Sequence, residues 1–307
     1  MPAVTPAVAG WIKEKTPTKR RRQLAEGRVR VRQVTSRARS LPDVLIVGAQ
    51  RSGTSSLYKY LGAHPQVYPS LRKEVEYFST RFDEGEGWYR AHFPLAATRA
   101  LRSRRRSQPT LAFEATPDYL LHPSAAHRAA QLIPEAKIIA LVRNPIDRAI
   151  SQYGHNRRLD QEPLTLEAAL ASEDERLFGE LEKISDDPRY DARPLRRYSY
   201  VTRGKYAEQL IRWQAWYPQD QIMVVRFEDL AADPAETLSA IESFLGIEDW
   251  HPPEFANHSY GRAGRADSPA VDDDIRHQLA ATFRPHNEKL AALLGYDLQW
   301  PDAGGTT

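Results

Sequence analysis

The 307-residue chain contains no cysteine. That absence removes disulfides, thiolate zinc sites and thiol nucleophiles in one step. It also lacks any run of about 18 apolar residues, the composition a membrane-spanning helix needs. Ahead of its basic block the N-terminus has only the short Ala/Val/Pro stretch Pro2–Ile12. A secretory signal places charge before the apolar region, and here the order is reversed. These absences make a reducing cytoplasm the expected location. The nine histidines show no H-x-x-x-H or comparable spacing, so no metal site is expected. No internal repeat of the kind that marks solenoids is present.

Charge is present but unevenly distributed. The chain has 43 Lys/Arg against 40 Asp/Glu, a net of +3. Residues 1–40 hold eleven Lys/Arg and only two acids, Glu14 and Glu26, a net of +9. The remaining residues therefore carry −6. A basic arm on a mildly acidic body argues against the whole protein being a nucleic-acid binder. A partner, an anionic membrane surface or an anionic acceptor all suit the arm. With 41% hydrophobic and 27% charged residues the chain can bury a sizeable core, and its length suits one large α/β domain. The expected division is a basic arm over 1–40, a domain over 41–300 and a flexible tail over 301–307.

Within that domain, Val44–Gly48 is an uninterrupted apolar run, expected as a strand buried on both faces. A Gly/Ser/Thr turn follows, then a helix over Ser55–Gly62, the opening half of a βαβ unit. Further strands are expected at Thr110–Glu114, Lys137–Val142 and Gln221–Arg226. Helices are expected from Ile146 to about Arg157 with Pro145 in the first turn, at Tyr206–Tyr217, and at Pro234–Leu245 with Gly246 as C-cap. Asp272–Gly295 carries a last helix or helix pair, and the charged stretch 159–200 a helical insertion or lid. Strands alternating with helices predict an α/β, P-loop-like three-layer fold, a central parallel β-sheet flanked by helices.

The turn after the first strand reads Gly48-Ala49-Gln50-Arg51-Ser52-Gly53-Thr54-Ser55. It matches the nucleoside-triphosphate loop G-x-x-x-x-G-K-[ST] except that Thr54 replaces the lysine. The anion cradle survives that change, because it is built from backbone N–H groups at a helix N-terminus, with the hydroxyls of Thr54, Ser55 and Ser56 beside them. Arg51 is the available replacement cation. The strand Ile138–Val142 ends in Arg143, where a metal-binding acid would be needed. An arginine there repels Mg²⁺ and attracts a second phosphate. The loop therefore predicts a phosphorylated nucleotide bound without metal.

From about residue 43 to 300 the chain resembles the sulfotransferases that use 3′-phosphoadenosine-5′-phosphosulfate (PAPS). Val47–Leu57 looks like the family's 5′-phosphosulfate motif, which assigns Gln50, Arg51, Ser52, Gly53, Thr54, Ser55 and Ser56 to the donor. Arg143-Asn144-Pro145 with Ser151 matches the 3′-phosphate motif, an Arg followed eight residues later by a Ser. Arg72-Lys73-Glu74-Val75-Glu76-Tyr77-Phe78 is similar to the carbohydrate, heparan-sulfate-like branch, where the Glu before the aromatic pair is the catalytic base. Further matches are Glu114–Tyr119, Arg203–Tyr206, Val225–Leu230 and Phe244–Gly246. Gly261–Arg265 stands where relatives place a basic loop on the nucleotide, assigning Arg262 and Arg265. Two departures stand out. Arg51 replaces a lysine that some animal glycosaminoglycan enzymes carry in the first loop, and Ala115 another in the Pro-containing motif. The Golgi anchor and Cys pairs of those enzymes have no counterpart here, as in a soluble bacterial-type relative.

The resemblance implies in-line sulfuryl transfer from PAPS to a hydroxyl or amine of an acceptor, expected to be a carbohydrate or glycoconjugate, leaving the 3′,5′-bisphosphate PAP with no metal required. Glu74 is the expected general base, with Glu76, Asp118 and His155 behind it; Lys73 and Arg51 meet the charge that develops. Two other readings remain at this point: a P-loop kinase or nucleotide hydrolase, disfavoured by Thr54 and Arg143, and a non-catalytic anion-binding module. Arg99–Arg106, with five arginines, is either an acceptor groove or a solvated basic turn. Trp213 and Trp216 are expected to pack a helix.

Overall fold

A computed structural model describes residues 18–187, 189–255 and 271–301. Five strands form one sheet: β1 Val44–Gly48, β2 Val67–Pro69, β3 Leu111–Ala115, β4 Lys137–Val142 and β5 Ile222–Arg226. Their order is β2-β3-β1-β4-β5, and every pairing is parallel. Parallel neighbours need crossovers, which the helices provide.

In chain order the helices are α1 Thr18–Gln33, α2 Thr54–Ala63, α3 Gly85–Arg90, α4 Ala96–Arg106, α5 Ala125–Leu132 and α6 Pro145–Arg158. Four short ones follow, α7 Leu166–Ala171, α8 Glu173–Leu177, α9 Glu180–Asp186 and α10 Arg193–Tyr198. Then come α11 Tyr206–Gln214, α12 Phe227–Ala232, α13 Pro234–Leu245 and α14 Asp273–Leu294. Among the described residues none is long and apolar enough to cross a membrane.

The two faces of the sheet separate along each strand with period two. Leu45, Val47, Ile138, Ala140 and Val142 pack on one side against an aromatic group that includes Tyr77, Phe78 and Tyr89, and against Leu210 and Trp213 of α11. Val44, Ile46, Phe113, Ile139 and Leu141 pack on the other against Leu57 and Leu61 of α2 and Leu238 and Ile241 of α13. Helix layers on both faces of the sheet make the expected three-layer α/β architecture.

The extent of the N-terminal arm differs from expectation. Helix α1 reaches Gln33, and its Val29, 3% exposed, belongs to the core cluster on the first face. Arg32 donates from Nε to the carbonyl of Ala91 and from Nη2 to that of Phe93, both at 2.5 Å. Arg39 also donates to the Phe93 carbonyl at 2.9 Å. Arginines at 32 and 39 are thus clamps holding the arm to the body, with only part of the basic count left to face solvent. The polybasic stretch is the last part of helix α4, where cations complement the C-terminal end of the helix dipole. Arg99 pairs with Asp43, just before β1, and donates to the Thr110 carbonyl, just before β3. That places α4 at the N-terminal ends of the strands, opposite the nucleotide loop, and the expected turn is a helix. Trp213 is buried as helix packing, whereas Trp216 is half-exposed and lies 4.4 Å from the His127 ring. The stretch 256–270, with Arg262 and Arg265, and residues 302–307 lie outside the described residues.

Candidate active site

The site forms at the C-terminal ends of β1 and β4, where open α/β sheets bind ligands. Gly53 takes φ +84°, a left-handed conformation that opens helix α2. A Cβ there would lie 2.8 Å from Phe227, so both backbone freedom and close packing require glycine. Ser56 and Leu57 N–H groups fold back onto the Gly53 carbonyl, while the first N–H groups of α2 have no partner within the helix and point into the loop. Arg51 is also left-handed, at φ 70°. Ser52, Thr54 and Ser56 are buried and Ser55 is partly exposed. Ser56 turns to Tyr60 one turn on, away from the anion cradle.

Arg143, at the end of β4, is fixed from three sides. Its guanidinium lies 4.8 Å over the Phe227 ring, its Nη1 donates to the Arg51 carbonyl at 3.3 Å, and Tyr206 donates to its own carbonyl at 2.9 Å. Asn144 caps α6 by accepting from the Ile146 N–H, and its own N–H is held by Glu228. Helix α6 then brings Ser151 back to the loop, where it accepts from Arg51 Nε at 3.1 Å. The two phosphate motifs, a hundred residues apart, are therefore one surface. Arg51 is pushed down to about 10, by burial first and then by the charges of Arg158 and Arg143. Three guanidinium groups repelling one another at a loop of backbone donors form a receptor for a multiply charged anion.

Arg158, close enough to lower Arg51, is a cation near the loop that the sequence reading missed. It follows Ser151 by seven residues, two helical turns on the same face, and that period was the available signal.

Across from the loop the segment 72–78 crosses beneath an open cavity. Glu74 and Glu76 both adopt left-handed backbone, at φ 61° and 63°, an uncommon conformation for non-glycine residues that is held by the surroundings. The Glu74 N–H bonds the Ala115 carbonyl at the end of β3, and the Glu76 N–H bonds Thr116 Oγ1. Thr116 in turn donates to Glu114, a fully buried carboxyl that also accepts from Tyr89 and Tyr119. Burial raises Glu114 to about 7 despite those three donors.

Gln50, Glu74 and His155 line one part of the cavity, and Glu76, Asp118 and Arg196 another. Glu74 is half-exposed and pairs with Lys73 at 2.6 Å. Glu76 is raised by burial, an effect opposed by Arg196 at 3.6 Å. Asp118 is tied to the buried Arg203 at 3.1 Å. His155 is lowered by burial and then by Arg51 and Arg158. Gln50 Oε1 is buried and has no hydrogen-bond partner among the described residues, an acceptor open to a ligand donor. Arg196 and Arg197 of α10 line the cavity, and the stretch expected as a helical insertion or lid is an array of short helices.

A parallel sheet in this order, a phosphate loop after its first strand, and an arginine where a metal-binding acid would stand together define a P-loop-like α/β fold with a candidate anion site. Residues 41–262 match the sulfotransferase domain family, and the chain belongs to it. It is 29% identical over 287 residues to the human bifunctional heparan sulfate N-deacetylase/N-sulfotransferase 3, covering 83% of this chain but 30% of that protein. It is 28% identical over 289 residues to the mouse heparan sulfate glucosamine 3-O-sulfotransferase 6, covering 85% of this chain and 74% of that one. The solved sulfotransferase of Alicyclobacillus acidocaldarius superposes with a TM-score of 0.61 at 31% identity, covering 84% of this chain and 98% of that one.

Proposed function

We propose that this protein transfers the sulfuryl group of PAPS to a hydroxyl or amine of a carbohydrate-type acceptor. The observation that carries this reading is the convergence of Arg51, Arg143 and Ser151 on one phosphate loop, with Arg143 rather than an acid directly after β4. The α2 N-terminus and Arg51 suit the 5′-phosphosulfate, and Arg143 with Ser151 suits the 3′-phosphate. The carbohydrate class is supported by the likeness to the two heparan sulfate enzymes.

In the proposed reaction the acceptor oxygen or nitrogen attacks sulfur from the cavity side, the new bond to sulfur forms, and the bridging S–O bond to the 5′-phosphate breaks. Glu74 takes the acceptor proton, and PAP leaves with the electron pair. Lys73, one hydrogen bond from Glu74, and Arg51 at the loop offset charge on the sulfuryl and leaving oxygens. General bases of this kind contribute about 10²–10⁴-fold. Glu76, which lines the same cavity, is the runner-up base, with Asp118 and His155 behind it. The basic arm is proposed to contribute contact with anionic surfaces rather than chemistry.

Thermal denaturation separates this reading from a kinase. Metal-free PAP raises the melting temperature and Mg-ATP does not; the reverse order overturns the proposal. A panel of glycans, glycolipids and phenols with labelled PAPS then identifies the acceptor class.

A further inference from the structure

A second polar cluster lies away from the transfer site, where α13 ends and the chain turns back through residues 246–255. One carboxylate oxygen of Glu242, one of Asp249 and a ring nitrogen of His251 all lie within 4.8 Å of one another. Glu242 is 0% exposed. Its Oε2 accepts from the Trp250 N–H at 2.9 Å, but its Oε1 has no hydrogen-bond partner among the described residues. A buried carboxylate oxygen left open is costly unless something binds it.

The neighbouring histidine does not fill that role. His64 Nδ1 accepts from the Gln66 N–H, so its proton resides on Nε2, which donates to the Glu248 carbonyl. The ring is neutral, and at 3.7 Å its Nε2 is too far from Glu242 Oε1 for a hydrogen bond. That ring supplies no charge to the two neighbouring acids, and burial first, then Asp249, pushes the Glu242 carboxyl up to about 7.

The remaining contacts exclude a nucleophilic triad. Ser239 Oγ at 2.9 Å and Asp249 Oδ1 at 3.1 Å both approach the same nitrogen of His251, Nε2. A relay needs the acid and the nucleophile on opposite ring nitrogens. Ser239 also donates to Asp249 Oδ1 at 2.8 Å. The 3.1 Å Asp249–His251 separation is close to the edge of about 3.3 Å that a tetrahedron with bonds of about 2.0–2.1 Å requires.

We propose that Glu242, Asp249 and His251 bind a divalent transition-metal ion of the Zn²⁺ class, with Ser239 or water completing the shell. One nitrogen and two carboxylate oxygens match the donor preference of Zn²⁺. Asp249 and His251 are exposed enough to admit the ion, their side chains being 70% and 36% accessible. The site lies past the C-terminal end of α2, next to His64, and the ten residues of that helix put about 15 Å between it and the nucleotide loop. Its role is therefore structural, pinning the end of α13 to the segment that precedes residue 256. Histidine spacing shows no sign of this site, because a single histidine joins acids nine and two residues away.

The test uses the full chain stripped with EDTA and titrated with ZnCl₂ by calorimetry, alongside thermal melts. The expected result is one saturable site whose occupancy raises the melting temperature. D249N and H251Q, at exposed positions, are expected to melt as the metal-free wild type does and to bind at least about tenfold more weakly. E242Q, which keeps the buried shape, is also expected to lose the metal-dependent stabilisation. Absence of saturable Zn²⁺ binding overturns the proposal. So does binding unchanged in D249N and H251Q. Sulfuryl transfer, measured in parallel, is expected to survive chelation, so failure of this site leaves the transfer reading standing.

Discussion

Arg143→Ala tests the assignment of the 3′-phosphate. The side chain is held in place by the Phe227 ring and by its bond to the Arg51 carbonyl. Little ordering is then needed when an anion arrives, and most of the interaction appears as affinity. A charge-assisted hydrogen bond contributes about 1.5–3 kcal/mol, which corresponds to a loss of roughly 10- to 150-fold in PAP affinity. Adenosine 5′-monophosphate lacks the 3′-phosphate and is expected to lose much less. The two ligands and two proteins make a double-mutant cycle read by titration calorimetry. Arg143→Lys is expected to recover only part of the loss, because an ammonium cannot reproduce the planar fork or its stacking. Equal weakening of both ligands by Arg143→Ala would refute the placement and make Arg143 a scaffold for the loop.

Three further outcomes follow from the same geometry. Arg32→Ala removes two clamps onto the Ala91 and Phe93 carbonyls and is expected to lower unfolding free energy by about 1.5–3 kcal/mol, whereas the exposed Arg30→Ala is expected to be neutral in chemical denaturation. Glu114, raised to about 7 in the folded protein against 4.5, favours folding most below 4.5, where both states are protonated. That contribution is lost as pH rises through about 7, so the stability difference between wild type and Glu114→Gln is expected to fall by about 3 kcal/mol across this window in denaturation measured at several pH values. Gly53→Ala forces a Cβ into Phe227 at a left-handed position and is expected to weaken PAP binding together with thermal stability, both measured on one preparation.

The parts of the fold that are legible in the sequence are those encoded locally. Lys137–Val142 is strand β4 with the expected bounds, because the five buried residues Ile138–Val142 form one apolar run ended by Arg143-Asn144-Pro145. Pro234–Leu245 is α13 with the expected bounds, closed by Gly246 at φ 73°. Strand β2 escapes because it is three residues long at a sheet edge and ends in proline. Helix α14 runs unbroken through Pro285, where a helix pair was an equal expectation, since Leu279, Phe283 and Leu290 bury one continuous face. In the site, the loop and the Arg-x₇-Ser motif are readable because backbone geometry fixes their spacing. The acceptor side is not, because residues 74–76, 116–118 and 196–203 meet only through tertiary contacts. The basic arm shows the same limit: composition counts charges but cannot tell a solvated arginine from the half-buried Arg32, bonded to two carbonyls.

Labelled sulfuryl transfer from PAPS, run in EDTA with wild type and Glu74→Gln and with PAP affinity measured on both, tests the central claim most directly. The expected result is wild-type transfer without metal, a rate at least about 10²-fold lower in the variant, and unchanged PAP binding. Transfer that requires Mg²⁺, or a Glu74→Gln enzyme as fast as wild type, would contradict it.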